Sequence, residues 1–269
     1  MVGAFFGLGF ICDLAFGVWN FPSVMTFEPW QWVLLYVAAT ISGFSKTGIP
    51  GVSILSVSIF SLILPTRQAT GVVLPMLIFA DVFAYFVYRK NLEWRRVGRL
   101  LPWAVGGLVL GWLALGHVND RQAARLIGAI IALMLGLHLW RRVRQGDEAA
   151  AVPAWLAPFI GVFAGITTMI ANAAGPVMTL YLLAMRLPKL EFLGTSAAFF
   201  LLINWIKVPF IAQLGLINAA SLTLNLYLLP AVGLGALMGR PVVQRVNQRI
   251  FENAALVLAA AATVKLLLV

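Results

Sequence analysis

Apolar runs with almost no charge follow one another along nearly the whole of this 269-residue chain. They fall near 1–18, 29–43, 50–64, 70–88, 100–117, 122–140, 152–171, 175–186, 192–213, 216–239 and 250–268. About 20 such residues cross the hydrocarbon core of a bilayer as a helix, so the length allows roughly ten crossings and leaves little for a soluble domain. Charged residues make up 10% of the chain, against about 25% in soluble domains. Water-soluble enzymes, nucleic-acid binders and disordered chains are thereby excluded, and an all-α polytopic membrane protein is expected. The runs 29–43, 50–64 and 175–186 are short and bordered by Gly and Pro, which suits tilted, partial or re-entrant helices. The first run lacks a basic leading stretch, carries Asp13 and has no clear cleavage site, so residues 1–28 read as an extra membrane segment and not as a signal peptide. Cys12 is the single cysteine, which leaves no disulfide framework and no thiol metal site.

The net charge of +10 sits mostly in short loops. Arg89, Lys90, Arg95, Arg96 and Arg99 crowd one, Arg141, Arg142 and Arg144 a second, Arg186 and Lys189 a third, and Arg240, Arg245 and Arg249 a fourth. Two apolar segments separate each from the next, so all four are expected on one face, the cytoplasmic one.

A repeat runs through the same pattern. Pro65 to Gly71 matches Pro188 to Gly194 in spacing, and ten residues beyond each glycine a polar residue interrupts an apolar run, Asp81 in one half and Asn204 in the other. Pro102, Gly107 and Gly111 match Pro230, Gly235 and Gly239, and Val118-Asn119-Asp120-Arg121 matches Val246-Asn247-Gln248-Arg249. Each half contains five apolar segments. An odd number turns the second half upside down, so residues 29–145 and 146–269 are expected to form two inverted five-segment repeats, as in many secondary transporters.

Two Gly-rich breaks interrupt the apolar pattern at corresponding places. The first is Ser42-Gly43-Phe44-Ser45-Lys46-Thr47-Gly48-Ile49-Pro50-Gly51, and the second runs from Gly165 to Pro176 through Thr167, Thr168, Asn172 and Gly175. Pro50 and Pro176 suit the first turn of a following helix, and the glycines let backbone approach a ligand. If both segments fold inward, two helix N-termini converge on the bilayer middle. Each carries about +0.5 elementary charge and unpaired N–H donors. With Gly48, Gly51 and Gly175 at the turns, hydroxyls from Ser45, Thr47, Thr167 and Thr168 and the amide of Asn172 would suit a small oxyanion. The plainer alternative is a pair of helix hairpins whose polar turns serve packing alone.

Lys46 and Lys207 would each cost about 2.5–3.5 kcal/mol at the bilayer centre without a partner. Lys46 either adds charge to the first break or is a solvated loop lysine; Lys207 either faces the site or snorkels to the outer interface. Asp81 is the one carboxylate well inside a span. It pairs with a buried lysine, carries a coupling proton, or bonds a neighbouring helix. Its repeat mate Asn204 is neutral, so a shared structural contact accounts for both positions and proton coupling only for Asp81. His117 and His138 have no ligand cluster around them, there is no phosphate-binding loop for an ATP-driven pump, and no nucleophile–base pair for an enzyme. Gly107/Gly111, Gly161/Gly165 and Gly235/Gly239 fit close helix packing.

The Gly43–Gly51 break, the Gly165–Pro176 break and the Pro-x5-Gly spacing after each resemble the TauE/SafE family of sulfite exporter and organosulfonate permease-like proteins, over about residues 29–269. The resemblance implies a bacterial inner-membrane carrier of a small sulfur-containing anion such as sulfite or sulfoacetate. Family members commonly have a more Gly-rich second break, where Asn172-Ala173-Ala174 stands here. The expected function is secondary transport of a small oxyanion by alternating access, with an anion channel or a non-transporting membrane assembly protein as alternatives. No cofactor or nucleic acid is expected; the partners are the anion and the bilayer, with a homodimer left open.

Overall fold

A computed structural model describes residues 27–64, 66–114, 120–145 and 154–268, without the side chains of 61, 66–68, 120, 123, 141–145 and 154. The N-terminal segment with Cys12 and Asp13, Pro65, His117 and Val118-Asn119, and the side chains of Arg141, Arg142 and Arg144, lie outside them. Among the described residues there are ten α-helices and no strand. They are α1 Pro29–Thr47, α2 Ser53–Ile63, α3 Thr66–Tyr88, α4 Trp94–Ala114, α5 Asp120–Gln145, α6 Ala157–Ala171, α7 Ala174–Ala184, α8 Lys189–Gln213, α9 Ala219–Arg245 and α10 Gln248–Leu268. Five spans among the described residues are long and apolar enough to cross a membrane: Ala69–Asn91, Trp94–Ala114, Lys189–Gln213, Ala219–Arg245 and Gln248–Leu268. Shorter apolar helices cover Ala124–Trp140, Ala157–Ala171 and Ala174–Ala184. The chain is an all-α, multi-pass membrane protein.

Local chemistry sets the boundaries. α1 starts on Pro29, behind a capping box in which the Glu28 N–H donates to Gln31 Oε1 (2.9 Å). Asn218 opens α9 in the same way, its Oδ1 accepting from the Ser221 N–H (3.0 Å). α6 stops at Asn172, whose left-handed backbone (φ 51°) ends the helix, a conformation asparagine tolerates better than most residues. One boundary differs from expectation. α1 does not break at Ser42 or Gly43 but runs to Thr47, because Ser42, Ser45 and Thr47 are buried against partners instead of opening a turn. The break is confined to Gly48–Val52, and Pro50 sits ahead of α2, not in its first turn.

Glycines decide how the helices meet. A Cβ added to Gly107 of α4 would lie 2.1 Å from the Val162 carbonyl oxygen, and one on Gly165 of α6 would lie 2.0 Å from that of Ala104. In α9 and α1, a Cβ on Gly235 would lie 1.9 Å from the Thr40 oxygen and one on Gly43 1.9 Å from that of Val232. Backbones in such contact leave no room for any side chain. α4 thus packs along α6 as α9 packs along α1, while α3 crosses α8 and α5 pairs with α10.

The basic connections gather at one face. The Glu93 N–H, between α3 and α4, donates to Thr195 Oγ1 (3.1 Å) near the start of α8. Lys189, at that start, donates from Nζ to the Val243 (2.8 Å) and Val246 (2.5 Å) carbonyls at the end of α9. Three of the four basic loops are thereby neighbours.

Candidate functional site

The breaks α1–α2 and α6–α7 meet in the interior. A cavity of about 50 Å³ lies between them, lined from the first break by Ser42, Ser45, Lys46, Pro50, Gly51 and Ser53 and from the second by Asn172, Gly175 and Thr179. α8 closes the wall with Ser196 and Phe200. One water needs roughly 10–15 Å³ in this measure, so the space suits a few waters or one small tetrahedral anion. The starts of α2 and α7 abut here: a Cβ on Gly175 would meet only Ser53 Oγ, at 3.8 Å. Neither helix has a side-chain cap at its start. In α2 the Ile54 and Leu55 N–H groups are taken up by the Gly51 and Val52 carbonyls (3.1 and 3.0 Å), so what both helix starts offer a negatively charged ligand is chiefly the positive end of the helix dipole. Gly51 holds φ +92°, the left-handed backbone that glycine adopts without strain, and this turns the chain from α1 into α2.

Lys46 supplies the charge in the wall. Its Nζ lies 2.7 Å from Asp81 Oδ1 and 4.1 Å above the ring of Phe200, and its side chain is 12% exposed while that of Asp81 is wholly buried. Asp81 Oδ2 accepts from Asn204 Nδ2 at 2.7 Å. Lys46 is therefore no loop lysine, and Asp81 takes the paired state that a carboxylate inside a membrane requires. Asp81 and Asn204, which the sequence places at matching positions after a Pro-x5-Gly spacing, touch each other.

Lys207 does not snorkel outward. It is fully buried, and its Nζ donates to the Thr168 carbonyl oxygen and to Asn172 Oδ1. A cation at a helix C-terminus complements the dipole and the free carbonyls there, so Lys207 clamps the end of α6. It also fixes Asn172: with Oδ1 held by the ammonium, the amide presents its NH₂ on the opposite side.

Of the residues singled out in the sequence, Ser45, Lys46, Gly51, Asn172 and Gly175 line the cavity. The others stand behind it. The Thr47 hydroxyl donates to the Ala236 carbonyl (2.7 Å) and its own carbonyl accepts from Tyr88 (2.6 Å), which ties the end of α1 to α9 and α3. Gly48 caps α1 through its N–H to Phe44 (2.7 Å). Thr167 bonds back to Ala164 (3.1 Å), Thr168 receives Lys207 through its carbonyl, and Asn204 holds Asp81. Ser53, Thr179, Ser196 and Phe200 are wall residues that the sequence did not single out. Ser53 and Thr179 each lie in an apolar helix next to a break, a signal that was available. Ser196 and Phe200 reach the site only because α8 crosses there. Among the described residues no group of His, Cys, Asp or Glu can hold a metal ion.

No solved structure matches the chain. A 100-residue stretch, 36% of the chain, is 35% identical to the probable inner membrane transporter protein TsaS of Comamonas testosteroni; it covers 39% of that protein's length. The family description "Sulfite exporter TauE/SafE" matches residues 35–266, from within α1 to within α10, and so takes in both breaks and every helix that lines the cavity. This chain belongs to the sulfite exporter TauE/SafE family.

Proposed function

We propose that this protein is a secondary transporter that carries a small sulfur oxyanion, sulfite or an organosulfonate such as sulfoacetate, across a bacterial inner membrane by alternating access. The observation that carries the reading is the cavity where the starts of α2 and α7 meet beside Lys46, with Asn172 and four serines in the wall. Helix starts, an ammonium and hydroxyls together favour an oxygen-bearing anion over a cation. Family membership supports the substrate class, and the relative named as an inner membrane transporter supports the membrane.

Two inverted halves, α1–α5 and α6–α10, would rock about this site. Support comes from the pairing of helices, since exchanging the halves turns α4 with α6 into α9 with α1 and leaves α3 with α8 unchanged. The contact of Asp81 with Asn204 fits as well, because equivalent positions touch only beside the axis that relates them. Energetics then depend on direction. For a monovalent anion moving without a coupled ion, a membrane potential negative inside would drive export with about 2.3 kcal/mol per 100 mV, whereas concentrative uptake needs a coupled ion.

The test is uptake of sulfite, sulfoacetate, sulfate and chloride into proteoliposomes, with wild type beside Lys46→Ala and Lys207→Ala. Saturable flux of a sulfur oxyanion, lost in either variant while the protein stays folded, is the expected result. Flux far above carrier rates would make it a channel. No flux of any anion at either sign of potential would overturn the transporter and leave an assembly role.

A further inference from the structure

Lys46 alone among the residues lining the cavity carries a charge, and that charge is already neutralised by Asp81 at 2.7 Å. The second buried ammonium, Lys207, lies behind the wall and is directed at Thr168 and Asn172. An anion entering the cavity therefore meets a lysine whose carboxylate partner competes for the same ammonium. Resting on the transporter reading above, we propose that the sulfur oxyanion and one proton bind together: the anion takes Lys46 from Asp81, and the released Asp81 carboxylate is protonated.

Apart from Lys46, the surroundings of Asp81 offer its charge no cationic partner. Its side chain is fully buried. Lys46 faces it from α1 and Asn204 from α8, where Lys207, one turn further on, is turned toward α6. α2 carries no ionisable residue. α9 faces α3 with Asn225, whose Nδ2 donates to the Val72 carbonyl (2.9 Å), and its Arg240 and Arg245 are exposed toward the far end. Once Lys46 turns to the anion, only the neutral Asn204 amide remains on Asp81, and an ionised carboxylate in that setting is disfavoured by desolvation. The proton arrives from whichever aqueous phase the cavity faces and forms the O–H bond of the neutral acid. On release, the anion leaves, the acid gives its proton to the opposite phase, and the Lys46–Asp81 pair re-forms. One proton and one anion move in the same direction, so transfer of a monovalent sulfonate is electroneutral. A gradient of one pH unit then sustains an accumulation of about tenfold, and the membrane potential neither helps nor opposes it.

The probes are methanesulfonate and sulfoacetate, which themselves bind no proton near neutral pH. Purified wild-type protein in weak buffer should take up one proton per anion bound, with affinity falling as pH rises. In proteoliposomes an inside-alkaline gradient should drive methanesulfonate inward at any potential set by valinomycin and potassium. In Asp81→Asn, the uncharged mimic of the protonated acid, anion exchange should continue without proton uptake and without response to the pH gradient. Binding or flux without proton uptake in wild type overturns the coupling and leaves the transporter standing. Proton uptake that persists in Asp81→Asn overturns the assignment to Asp81. No binding or flux of either probe, or of sulfite, overturns both readings. The wild-type stoichiometry requires no variant, so a folding failure of Asp81→Asn does not protect the proposal.

Discussion

Substituting Gly235 by alanine should loosen the seam between α1 and α9 by an amount the geometry sets. The added Cβ would lie 1.9 Å from the Thr40 carbonyl oxygen, 2.8 Å from the Thr40 carbonyl carbon and 2.9 Å from the Phe44 nitrogen. Ordinary contact begins near 3.4 Å, so the helices must separate locally by about 1.5 Å, and because every obstacle is backbone, no rotamer change relieves it. Overpacking of this kind costs about 1–3 kcal/mol. Gly233, on the same helix, has nothing within 4 Å of where a Cβ would stand, so Gly233→Ala should match wild type or gain up to about 1 kcal/mol from helix propensity. Gly43→Ala acts on the same seam from the other side, at 1.9 Å from the Val232 oxygen. Once one alanine has separated the helices, the second finds room, and the double variant should lose clearly less than the two single losses together. Unfolding by SDS titration in mixed micelles reads this through tryptophan fluorescence, since Trp32 of α1 stacks edge-on with Tyr227 of α9 at 6.0 Å. Equal midpoints for Gly235→Ala and Gly233→Ala, or strict additivity in the double variant, would refute the reasoning.

Gly175→Ala puts a methyl into the cavity with only Ser53 Oγ near it; it should keep the wild-type unfolding midpoint and weaken anion affinity about tenfold, or 1.4 kcal/mol, measured by isothermal titration. Lys207→Met removes both hydrogen bonds at the end of α6, so hydrogen exchange at Met169–Ala173 should accelerate at least tenfold while α1 is unchanged; equal protection would dismiss the clamp. Lys189→Met strips the cation from the last carbonyls of α9 and should cost about 1–3 kcal/mol of stability with flux per folded molecule unaltered. A loss of flux at full stability would instead place Lys189 on the anion's path.

Much of this architecture was legible in the residues, for reasons particular to a membrane. Lipid demands long apolar runs, and the ten helices follow those runs closely. The glycine pairs at 107/111, 161/165 and 235/239 lie in the α4–α6 and α9–α1 seams, because spacing by four keeps them on one helix face. The break in α1 was misplaced for an instructive reason. A polar cluster in an apolar run signals either a turn or a buried polar face, and Ser42 donating to Ser56, which in turn donates to the Ala38 carbonyl (2.7 Å), makes it the latter. Ser45 and Thr47 are only two residues apart, yet Ser45 lines the cavity, its hydroxyl bonded back to the Ser42 carbonyl (3.0 Å), while the Thr47 hydroxyl donates into α9. Spacing alone does not decide which side holds the cavity. Nor does it reveal that Lys46 and Asp81 are partners, since that depends on how α1 and α3 cross.

The positions of the buried lysines along the chain also bear on how the protein is made. Asp81 meets Lys46, and Lys207 meets Asn172 and Thr168, each across some 35 to 40 residues of earlier sequence. In both cases the charged or polar partner has left the ribosome before the later helix reaches the translocon. α3 and α8, which bring Asp81 and Lys207 into lipid, are thus made just after the segment that receives each, and an insertion penalty of about 2.5–3.5 kcal/mol can be relieved at once. The Asp81–Asn204 contact spans 123 residues and joins the halves only when the second has been synthesised. Nascent chains that lack α1 should therefore insert α3 less efficiently than the full sequence, while removal of α9 and α10 leaves that step untouched.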